Sequence, residues 1–286
     1  MITRNLVYSA LFAATLLGSA CSGDSTGPRL RSGCLVSCPL AFAQRNAGIW
    51  DIFTISAFGT ELRNLTRDTI TDIWPSWSPD RRQIAFVSER PNLGIYLMNA
   101  DGSNIRFVFS WAPAHIAWSP DGRRLAFDAG EIQVVNTDGT GLLNLTTSLA
   151  FERKPDWSPH GDRIAYTREN EIWVMDASGT DQRSLTGWQS QPAFDPAWSP
   201  DGSRIAFASV DASNHTTLWV MNAEGRDWRR LTDTTGGEDR LPEWSPNGAE
   251  IAFQRAFYDS TVIRIVSADG LRQRRLVGGI SGHVSW

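Results

Sequence analysis

Two histidines occupy equivalent places in the sequence and could contribute to a metal site. His115 and His283 each stand three residues before a tryptophan that recurs along the chain, and Glu152 and Asp239 stand five residues before two other copies of it. Imidazole nitrogens and carboxylate oxygens are common ligands of divalent metal ions. Two histidines are too few to complete such a site, so we expect no resident metal and no cofactor.

Other signatures of catalysis are missing from the sequence. It contains neither the His-Glu-x-x-His pattern of zinc peptidases nor the Gly-x-Ser-x-Gly elbow of serine hydrolases. His160 falls in a turn and His215 in a longer loop, so we expect neither to join the first pair of histidines. The sequence therefore favours a binding protein over an enzyme.

The composition is that of a globular chain with little net charge. The 286 residues are 41% hydrophobic and 20% charged, and the formal net charge is −4. A substantial core can therefore form. The basic surface expected of a nucleic-acid-binding protein is missing, so we expect no nucleic-acid partner.

The beginning of the chain has the pattern of a secretory signal. A positively charged start, an apolar run and small residues precede Cys21. This arrangement resembles a bacterial lipoprotein cleavage site, which predicts a signal peptide over residues 1–20 and a lipidated Cys21; ordinary cleavage before an incidental cysteine is the alternative. Residues 21–39 are then the lipidated cysteine and a flexible linker rich in Ser, Gly and Pro. By resemblance to lipoproteins of diderm bacteria, Ser22 after the cysteine implies the outer membrane.

Two further cysteines lie at the end of this linker. Cys34 and Cys38 are separated by three residues. In an oxidising compartment they could form a small local disulfide, whose stabilising effect would be modest because the closed loop is short. The sequence leaves the bonded and the reduced forms equally open.

A repeat of about 41 residues determines the predicted fold. Its tryptophans recur 39 to 46 residues apart, at Trp77, Trp118, Trp157, Trp198, Trp244 and Trp286. Each of the first five opens the phrase "WSP", which is followed by a turn and by three more short segments rich in β-branched and aromatic residues. Pro-Asp-Gly and Asp-Gly turns join the segments. Four strands linked by tight turns are one blade of a β-propeller.

The ends of the chain are predicted to complete one another. Residues 40–42, 52–55 and 62–66 are the second, third and fourth strands of a blade that lacks its first strand, and the C-terminal "HVSW" can supply it. We therefore predict an all-β, six-bladed propeller over residues 40–286, closed by pairing of the C-terminal strand with the N-terminal strands. Arg81 stands where other blades have a turn glycine, so we expect Arg81→Gly to raise the melting temperature.

The repeat phrases resemble a known family. "PSWSPDRRQIAF" and "PAWSPDGSRIAF" are similar to the WD-like propeller repeat of the TolB family, and the resemblance covers residues 40–286. It implies a periplasmic six-bladed propeller that serves as an interaction hub of the cell envelope, contacting a peptidoglycan-associated lipoprotein and other Tol components. A second resemblance, to propeller polyuronate lyases that use histidines and a divalent metal in the channel, implies the alternative function.

The candidate site lies where the repeat varies. Three residues before each repeat tryptophan the side chains differ in chemistry: Trp74, His115, Lys154, Asp195, Leu241 and His283. Variation on a repeated frame is typical of a binding surface. We predict a binding face at the mouth of the central channel formed by Trp74, Trp111, His115, Arg153, Lys154, Trp188, Asp195, Arg240 and His283. The alternative is that Trp111 and Trp188 pack beneath their own loops and that the arginines are merely solvated.

These observations predict a monomeric, non-enzymatic propeller that is exported to the periplasm and held at the outer membrane by a lipid anchor alone. Its partner is expected to be another envelope protein. A carbohydrate-binding or metal-dependent polyuronate lyase-like propeller is the alternative, with His115 and His283 as its metal candidates.

Overall fold

The structure, a computed structural model, describes most of the chain as β-strands joined by short turns. The described residues are 38–46, 48–110, 113–233, 236–278 and 280–286. The predicted signal peptide, Cys21, Cys34 and Trp111 lie outside them, so the anchor and the disulfide stay predictions. In the described ranges no helix has the length and apolar character needed to cross a bilayer.

The described residues form 24 strands. In chain order they are β1 (Leu40–Asn46), β2 (Ile49–Ile55), β3 (Arg63–Asn64), β4 (Asp72–Trp77), β5 (Gln83–Ser88), β6 (Gly94–Asn99), β7 (Arg106–Phe109), β8 (Ile116–Trp118), β9 (Arg124–Asp128), β10 (Ile132–Asn136), β11 (Leu143–Asn144), β12 (Glu152–Trp157), β13 (Arg163–Arg168), β14 (Glu171–Asp176), β15 (Arg183–Ser184), β16 (Ala193–Trp198), β17 (Arg204–Val210), β18 (Thr216–Asn222), β19 (Arg229–Arg230), β20 (Glu238–Trp244), β21 (Glu250–Ala256), β22 (Thr261–Ser267), β23 (Gln273–Gly278) and β24 (Ile280–Ser285).

The strands assemble into six antiparallel sheets of four, which are the predicted blades. Blade 1 has the order β24-β1-β2-β3, and blades 2 to 6 are β4–β7, β8–β11, β12–β15, β16–β19 and β20–β23. The first strand of each sheet contacts the first strands of the neighbouring sheets, so these six strands surround the axis of the ring. The predicted all-β, six-bladed fold is confirmed.

Closure of the ring also follows the prediction. In blade 1 the C-terminal strand β24 pairs antiparallel with β1, and Ala41 lies opposite Ser285 while Phe42 lies opposite Val284. A bulge shifts the register between Phe42 and Ala43. This pairing gives blade 1 its innermost strand and leaves no open edge between the first and last blades.

The core consists of layers between blades, because each sheet is buried on both faces. In β5, Ile84 and Phe86 pack toward blade 1, whereas Ala85 and Val87 pack toward blade 3. Each repeat tryptophan fills the gap next to the preceding blade. For example, the indole of Trp244 donates to the carbonyl of Ala197 at 3.1 Å. Successive side chains of a strand therefore pack into the layers on its two sides, which explains why these strands are apolar throughout.

The turn after each of the first five repeat tryptophans needs a left-handed residue. Gly122 has φ of 70°, and a Cβ placed there would meet nothing within 4 Å, so backbone conformation rather than space favours glycine. Arg81 adopts the same conformation with φ of 63°. Its guanidinium lies 4.7 Å from the ring centroid of Trp77 and donates to the carbonyl oxygen of Pro39 at 2.7 Å. The strain expected from the sequence is present, and these two contacts oppose its effect.

Candidate functional site

A repeated backbone distortion aims side chains at the propeller axis. Four of the innermost strands place a residue with positive φ directly before a proline, three positions ahead of the repeat tryptophan: Trp74 (55°), Lys154 (52°), Asp195 (57°) and Leu241 (54°). Each lies in a β-bulge where the register with the second strand shifts. A bulge turns the strand and redirects its side chains, so the same device in four blades directs these positions inward. The corresponding residues of blades 3 and 1 are His115 and His283.

Lys154 crosses the central channel. Its Nζ atom lies 2.9 Å from Oε1 of Glu243 in blade 6 and 2.9 Å from Nε2 of His283 in blade 1. Blade 1 is diametrically opposite blade 4, which carries Lys154. The side chains of Lys154 and His283 are 4% and 5% exposed. Three blades are therefore joined through one ammonium group at the centre of the ring.

Glu243 and His283 are in hydrogen-bonding contact in this cluster. Oε1 of Glu243 lies 2.5 Å from Nε2 of His283. Burial alone would raise the pKa of Glu243, yet the charge of Lys154 and the hydrogen bond with His283 lower it to about 2. Burial, together with the charge of Lys154, lowers the pKa of His283. The stable arrangement at neutral pH is therefore an ionised Glu243 held by the Lys154 ammonium beside a neutral His283.

Asp156 is a second acid close to this cluster. Burial and the negative charge of Glu243 raise its pKa to about 7, although Lys154 acts in the opposite direction. One oxygen of Asp156 accepts a hydrogen bond from the backbone amide of Trp198 in the next blade at 2.6 Å. Burial opposes ionisation of Lys154, but the charges of Glu243 and Asp156 raise its pKa. The channel thus holds one permanent ion pair and one acid that titrates near neutral pH.

His115 is held by Asp128 rather than by the lysine cluster. Its Nδ1 atom lies 2.7 Å from Oδ2 of Asp128, which also accepts the backbone amide of Lys154 at 3.0 Å. Burial would raise the pKa of Asp128, but the hydrogen bond and charge of His115 hold it below its usual value. The His115 ring packs against Trp74, with 4.8 Å between centroids, and edge-on against His283 at 6.2 Å. Asp128 therefore joins the innermost strands of blades 3 and 4.

The two histidines do not meet the acids proposed as further metal ligands. Glu152 accepts a hydrogen bond from Ser148 at 2.8 Å, and Asp239 binds the guanidinium of Arg255 through both carboxylate oxygens at 2.5 and 2.7 Å. Over the part of the chain that the structure describes, no group of three or more His, Cys, Asp and Glu residues is arranged to hold a metal ion.

Two arginines lie near the beginning of innermost strands, Arg153 in β12 and Arg240 in β20. Nε of Arg240 donates to the buried Asp195 at 3.1 Å, and its guanidinium lies 4.4 Å from the ring centroid of Phe194. The Arg240 side chain is nevertheless 42% exposed. Arg153 is half-buried, and Nη2 lies 3.4 Å from Oδ1 of Asn170. These residues carry positive charge to the surface at one end of the innermost strands.

Trp188 lies apart from the channel residues. Its indole nitrogen donates to the carbonyl of Leu185 at 2.9 Å, and its ring contacts Trp228, with 6.1 Å between centroids. Both tryptophans lie beside outermost strands, β15 and β19. Trp188 is 62% exposed. Seven of the nine predicted residues therefore lie in the innermost strands or directly before them. Trp188 lies at the rim, and Trp111 is outside the described residues.

Three acids of the channel were missed by the sequence analysis. Asp156 and Glu243 stand one residue before a repeat tryptophan, and Asp128 ends the second strand of blade 3. In a strand read from the sequence without its bulge, side chains two residues apart share a face, so the position before each tryptophan is expected on the same side as the position three before it. That alternation was the signal for Asp156 and Glu243.

Six four-stranded sheets form a closed ring around a polar channel, so this protein is a six-bladed β-propeller. The chain belongs to the PD40 family, the TolB beta propeller domain, whose model matches residues 107–285, more than half of the chain. Protein TolB homolog of Chlorobium luteolum is 28% identical over 155 residues, which are 50% of this chain and 35% of that protein. Tol-Pal system protein TolB of Anaeromyxobacter dehalogenans is 30% identical over 130 residues, 41% of this chain and 29% of that protein. The matches span about a third of each of these relatives.

Solved structures share the fold. TolB from Acinetobacter baumannii superposes with a TM-score of 0.74 at 21% identity, over 87% of this chain and 66% of that chain. An oligogalacturonate lyase from Vibrio parahaemolyticus superposes with a TM-score of 0.60 at 12% identity, over 84% of this chain and 74% of that chain. The same architecture therefore occurs in proteins of different function, and the residues of the channel must carry the functional argument.

Proposed function

We propose that this protein is a non-enzymatic scaffold of the cell envelope that binds a protein partner at the channel mouth. The observation that carries the proposal is the Arg240–Asp195 pair, in which a buried carboxylate holds an arginine whose side chain is 42% exposed at the mouth. An arginine fixed by a buried acid loses little conformational freedom when it binds, and arginine is a frequent anchor of interfaces. Arg153 adds a second positive charge at the same end of the ring.

The chemistry of the channel supports binding rather than turnover. Lys154 donates to Glu243, Nε2 of His283 lies within hydrogen-bonding distance of both, and His115 is bonded to Asp128. A general base or a metal ligand needs a lone pair directed at substrate or metal, whereas these groups are directed at each other. Membership of the TolB propeller family and the curated name "Tol-Pal system protein TolB" of one relative favour an envelope role.

The same proposal includes export and anchoring. A signal peptide over residues 1–20 would deliver the chain to the periplasm, and a lipid on Cys21 would hold the propeller at the outer membrane. The linker that follows would let the channel mouth reach a partner some distance from the bilayer. We expect the propeller to act as a monomer.

Affinity capture from a detergent-solubilised envelope tests the proposal, with the mature chain as bait. The mouth variant carries Arg153→Glu and Arg240→Gln. The matched control carries Arg183→Glu and Arg226→Gln at the outer rim, where Arg183 is half-buried like Arg153 and Arg226 is exposed. We expect one protein in stoichiometric amount with the native and control baits and not with the mouth variant. Equal capture by the mouth variant, with an unchanged melting temperature, would exclude the mouth as the binding surface.

The lyase alternative predicts a different result. It requires a stoichiometric divalent ion that is lost in His115→Ala or His283→Ala, together with cleavage of polyuronate by the native chain. Metal analysis of the purified protein and a lyase assay with added manganese distinguish the two functions. Activity that disappears with either histidine would replace the scaffold proposal.

A further inference from the structure

Three blades contain a buried acid that pairs with an arginine next to the innermost strand. The pairs are Asp72–Arg90 in blade 2, Glu152–Arg168 in blade 4 and Asp239–Arg255 in blade 6. In each case the acid occupies the same place, five residues before the repeat tryptophan. The blades can therefore be compared position by position.

In blades 2 and 4 an aromatic ring of the third strand covers the arginine. The guanidinium of Arg90 lies 5.6 Å from the ring centroid of Tyr96, and that of Arg168 lies 4.6 Å from the ring centroid of Trp173. The negative face of an aromatic ring stabilises a neighbouring cation. Arg90 and Arg168 are therefore each stabilised by both a carboxylate and an aromatic ring.

Blade 6 has a cation where the other two blades have the ring. The position of Tyr96 and Trp173 is occupied by Arg264, opposite Phe253 in the adjacent strand. The cross-strand neighbour of Arg264 on its other side is Arg275. Like charges directly opposite one another destabilise a sheet, so a negative charge bound between two arginines in register would be stabilising.

The two nearby carboxylates, Asp239 and Asp233, both form ion pairs with Arg255. Asp239 binds it through both oxygens, at 2.5 and 2.7 Å, and Asp233 lies 3.5 Å from it. Within the described ranges, neither Arg264 nor Arg275 forms an ion pair with a carboxylate. Nε of Arg264 is buried and has no hydrogen-bond partner among the described residues. Burial, and then the charges of Arg255 and Arg275, lower the pKa of Arg264 while the two aspartates oppose them.

A glycine makes room for the second arginine. A Cβ added to Gly278 would stand 2.2 Å from Nη2 of Arg275, so the guanidinium lies directly over the backbone of its own strand. This glycine has no positive φ, and the close approach of Arg275 is what the missing side chain permits.

We propose that Arg264 and Arg275 form a binding site for a phosphate-class oxyanion on the outer part of blade 6. Guanidinium groups present planar forks of N–H donors that match phosphate oxygens, and two arginines in register on neighbouring strands can bind one tetrahedral anion between them. The anion would neutralise the excess positive charge left after Asp239 and Asp233 have paired with Arg255. This site goes beyond the scaffold function and uses none of the residues of the channel mouth.

Calorimetric titration of the full chain with inorganic phosphate tests the site, at constant ionic strength maintained with chloride. We expect saturable binding of one phosphate per chain. Arg264→Gln and Arg264→Trp should each weaken binding by at least about tenfold, because a charge-assisted contact is lost. Arg226→Gln, at an exposed position of blade 5, is the charge-matched control and should bind as the native chain does. Arg264→Trp also restores the ring of blade 4, so its melting temperature in chloride alone should not fall below that of the native protein.

The same titrations can overturn the proposal. Heat that chloride reproduces at equal ionic strength, acetate binding as tight as phosphate binding, or undiminished binding to both Arg264 variants would each exclude this site or its ligand class. Sedimentation with vesicles identifies the source of the phosphate. Arg264-dependent binding to phosphatidylglycerol vesicles, but not to phosphatidylcholine vesicles, assigns a lipid headgroup, whereas phosphate binding without vesicle binding assigns a soluble phosphate compound.

Discussion

Nζ of Lys154 lies 2.9 Å from Nε2 of His283, although the two residues belong to opposite blades of the ring. Lys154 comes from the middle of the chain and His283 from the strand that closes the ring onto β1. The ammonium group therefore connects the closing strand to the far side of the propeller. Oε1 of Glu243 lies 2.9 Å from Nζ of Lys154 and supplies the negative charge that lets this buried lysine remain ionised.

Lys154→Met should destabilise the propeller. It removes the cation that lowers the pKa of Glu243 and leaves the buried carboxylate without its ammonium partner, beside a neutral His283. Breaking a buried pair in this way costs about 3–5 kcal/mol of unfolding free energy. Urea unfolding followed by tryptophan fluorescence measures the loss.

A double variant separates the ion pair from the packing of the lysine stem. Lys154→Met with Glu243→Gln removes both charges and should recover about half or more of the stability that Lys154→Met alone loses. If the double variant is as unstable as the sum of its single variants, the two residues are not coupled and the network does not act as a unit.

Asp156 should make the stability of the propeller depend on pH. Its pKa is raised from 3.8 to about 7, so the folded state holds a proton that the unfolded chain has released. Unfolding then releases protons, and stability falls as pH rises from about 4 to about 7. Asp156→Asn should remove this dependence and gain on the order of 4 kcal/mol relative to the native protein at pH 8.

The other channel groups titrate in different ranges. The lowered pKa of Glu243 stabilises the fold above its ordinary value, and this contribution is lost as pH falls toward 2. The lowered pKa of His283 disfavours the fold once pH drops below the ordinary histidine value. Both effects are common to the native protein and Asp156→Asn. The difference between their stabilities, measured from pH 4 to pH 8, therefore isolates Asp156; a difference that does not change with pH would mean that Asp156 is ionised throughout.

The fold could be predicted because the sequence pattern of each strand and turn recurs from blade to blade. A single strand such as β7 is ambiguous alone, but its place after "IYLM" and an Asp-Gly turn repeats in the other blades. The need to bury both faces of each sheet, together with the missing first strand of blade 1, then required closure by β24. Local patterns and global closure agreed, which is why sequence reasoning reached the architecture.

The channel could be predicted only in part. Position within the repeat identified Lys154, His115 and His283 as neighbours in one ring. It did not identify Glu243, since that inference needed the two-residue alternation of the strand. The location of Trp188 depends on a loop whose conformation is set by its contact with Trp228, and no periodic signal encodes such a contact.

Cys21→Ala tests the anchor. If Cys21 is lipidated, metabolic labelling with a fatty-acid analogue should mark the native protein and not the variant, because the thioether is the attachment point. The variant should also move from the membrane fraction to the soluble fraction. A variant of Cys34, at the end of the same linker, is the matched control and should keep the label. Labelling that persists in Cys21→Ala would rule out this residue as the lipid attachment site.

Arg81→Gly now has a different expected outcome from the one that the sequence alone indicates. The positive φ of 63° means that glycine relieves about 1 kcal/mol of backbone strain. The same change removes the stacking on Trp77, worth about 0.5–1 kcal/mol, and the hydrogen bond to Pro39, worth about 1 kcal/mol. Glycine also increases the conformational freedom of the unfolded chain. We therefore expect the melting temperature to fall by a few degrees, as measured by calorimetry.

Arg81→Asn distinguishes these contributions. Asparagine tolerates the left-handed conformation without the entropic cost of glycine, yet it loses the same stacking and the same reach to Pro39. Its melting temperature should therefore lie between those of the native protein and Arg81→Gly. If both variants melt above the native protein, backbone strain outweighs the two contacts of the guanidinium and the turn follows the simple glycine rule. If both melt below it, the arginine is retained because it ties the second blade to the residue that precedes β1.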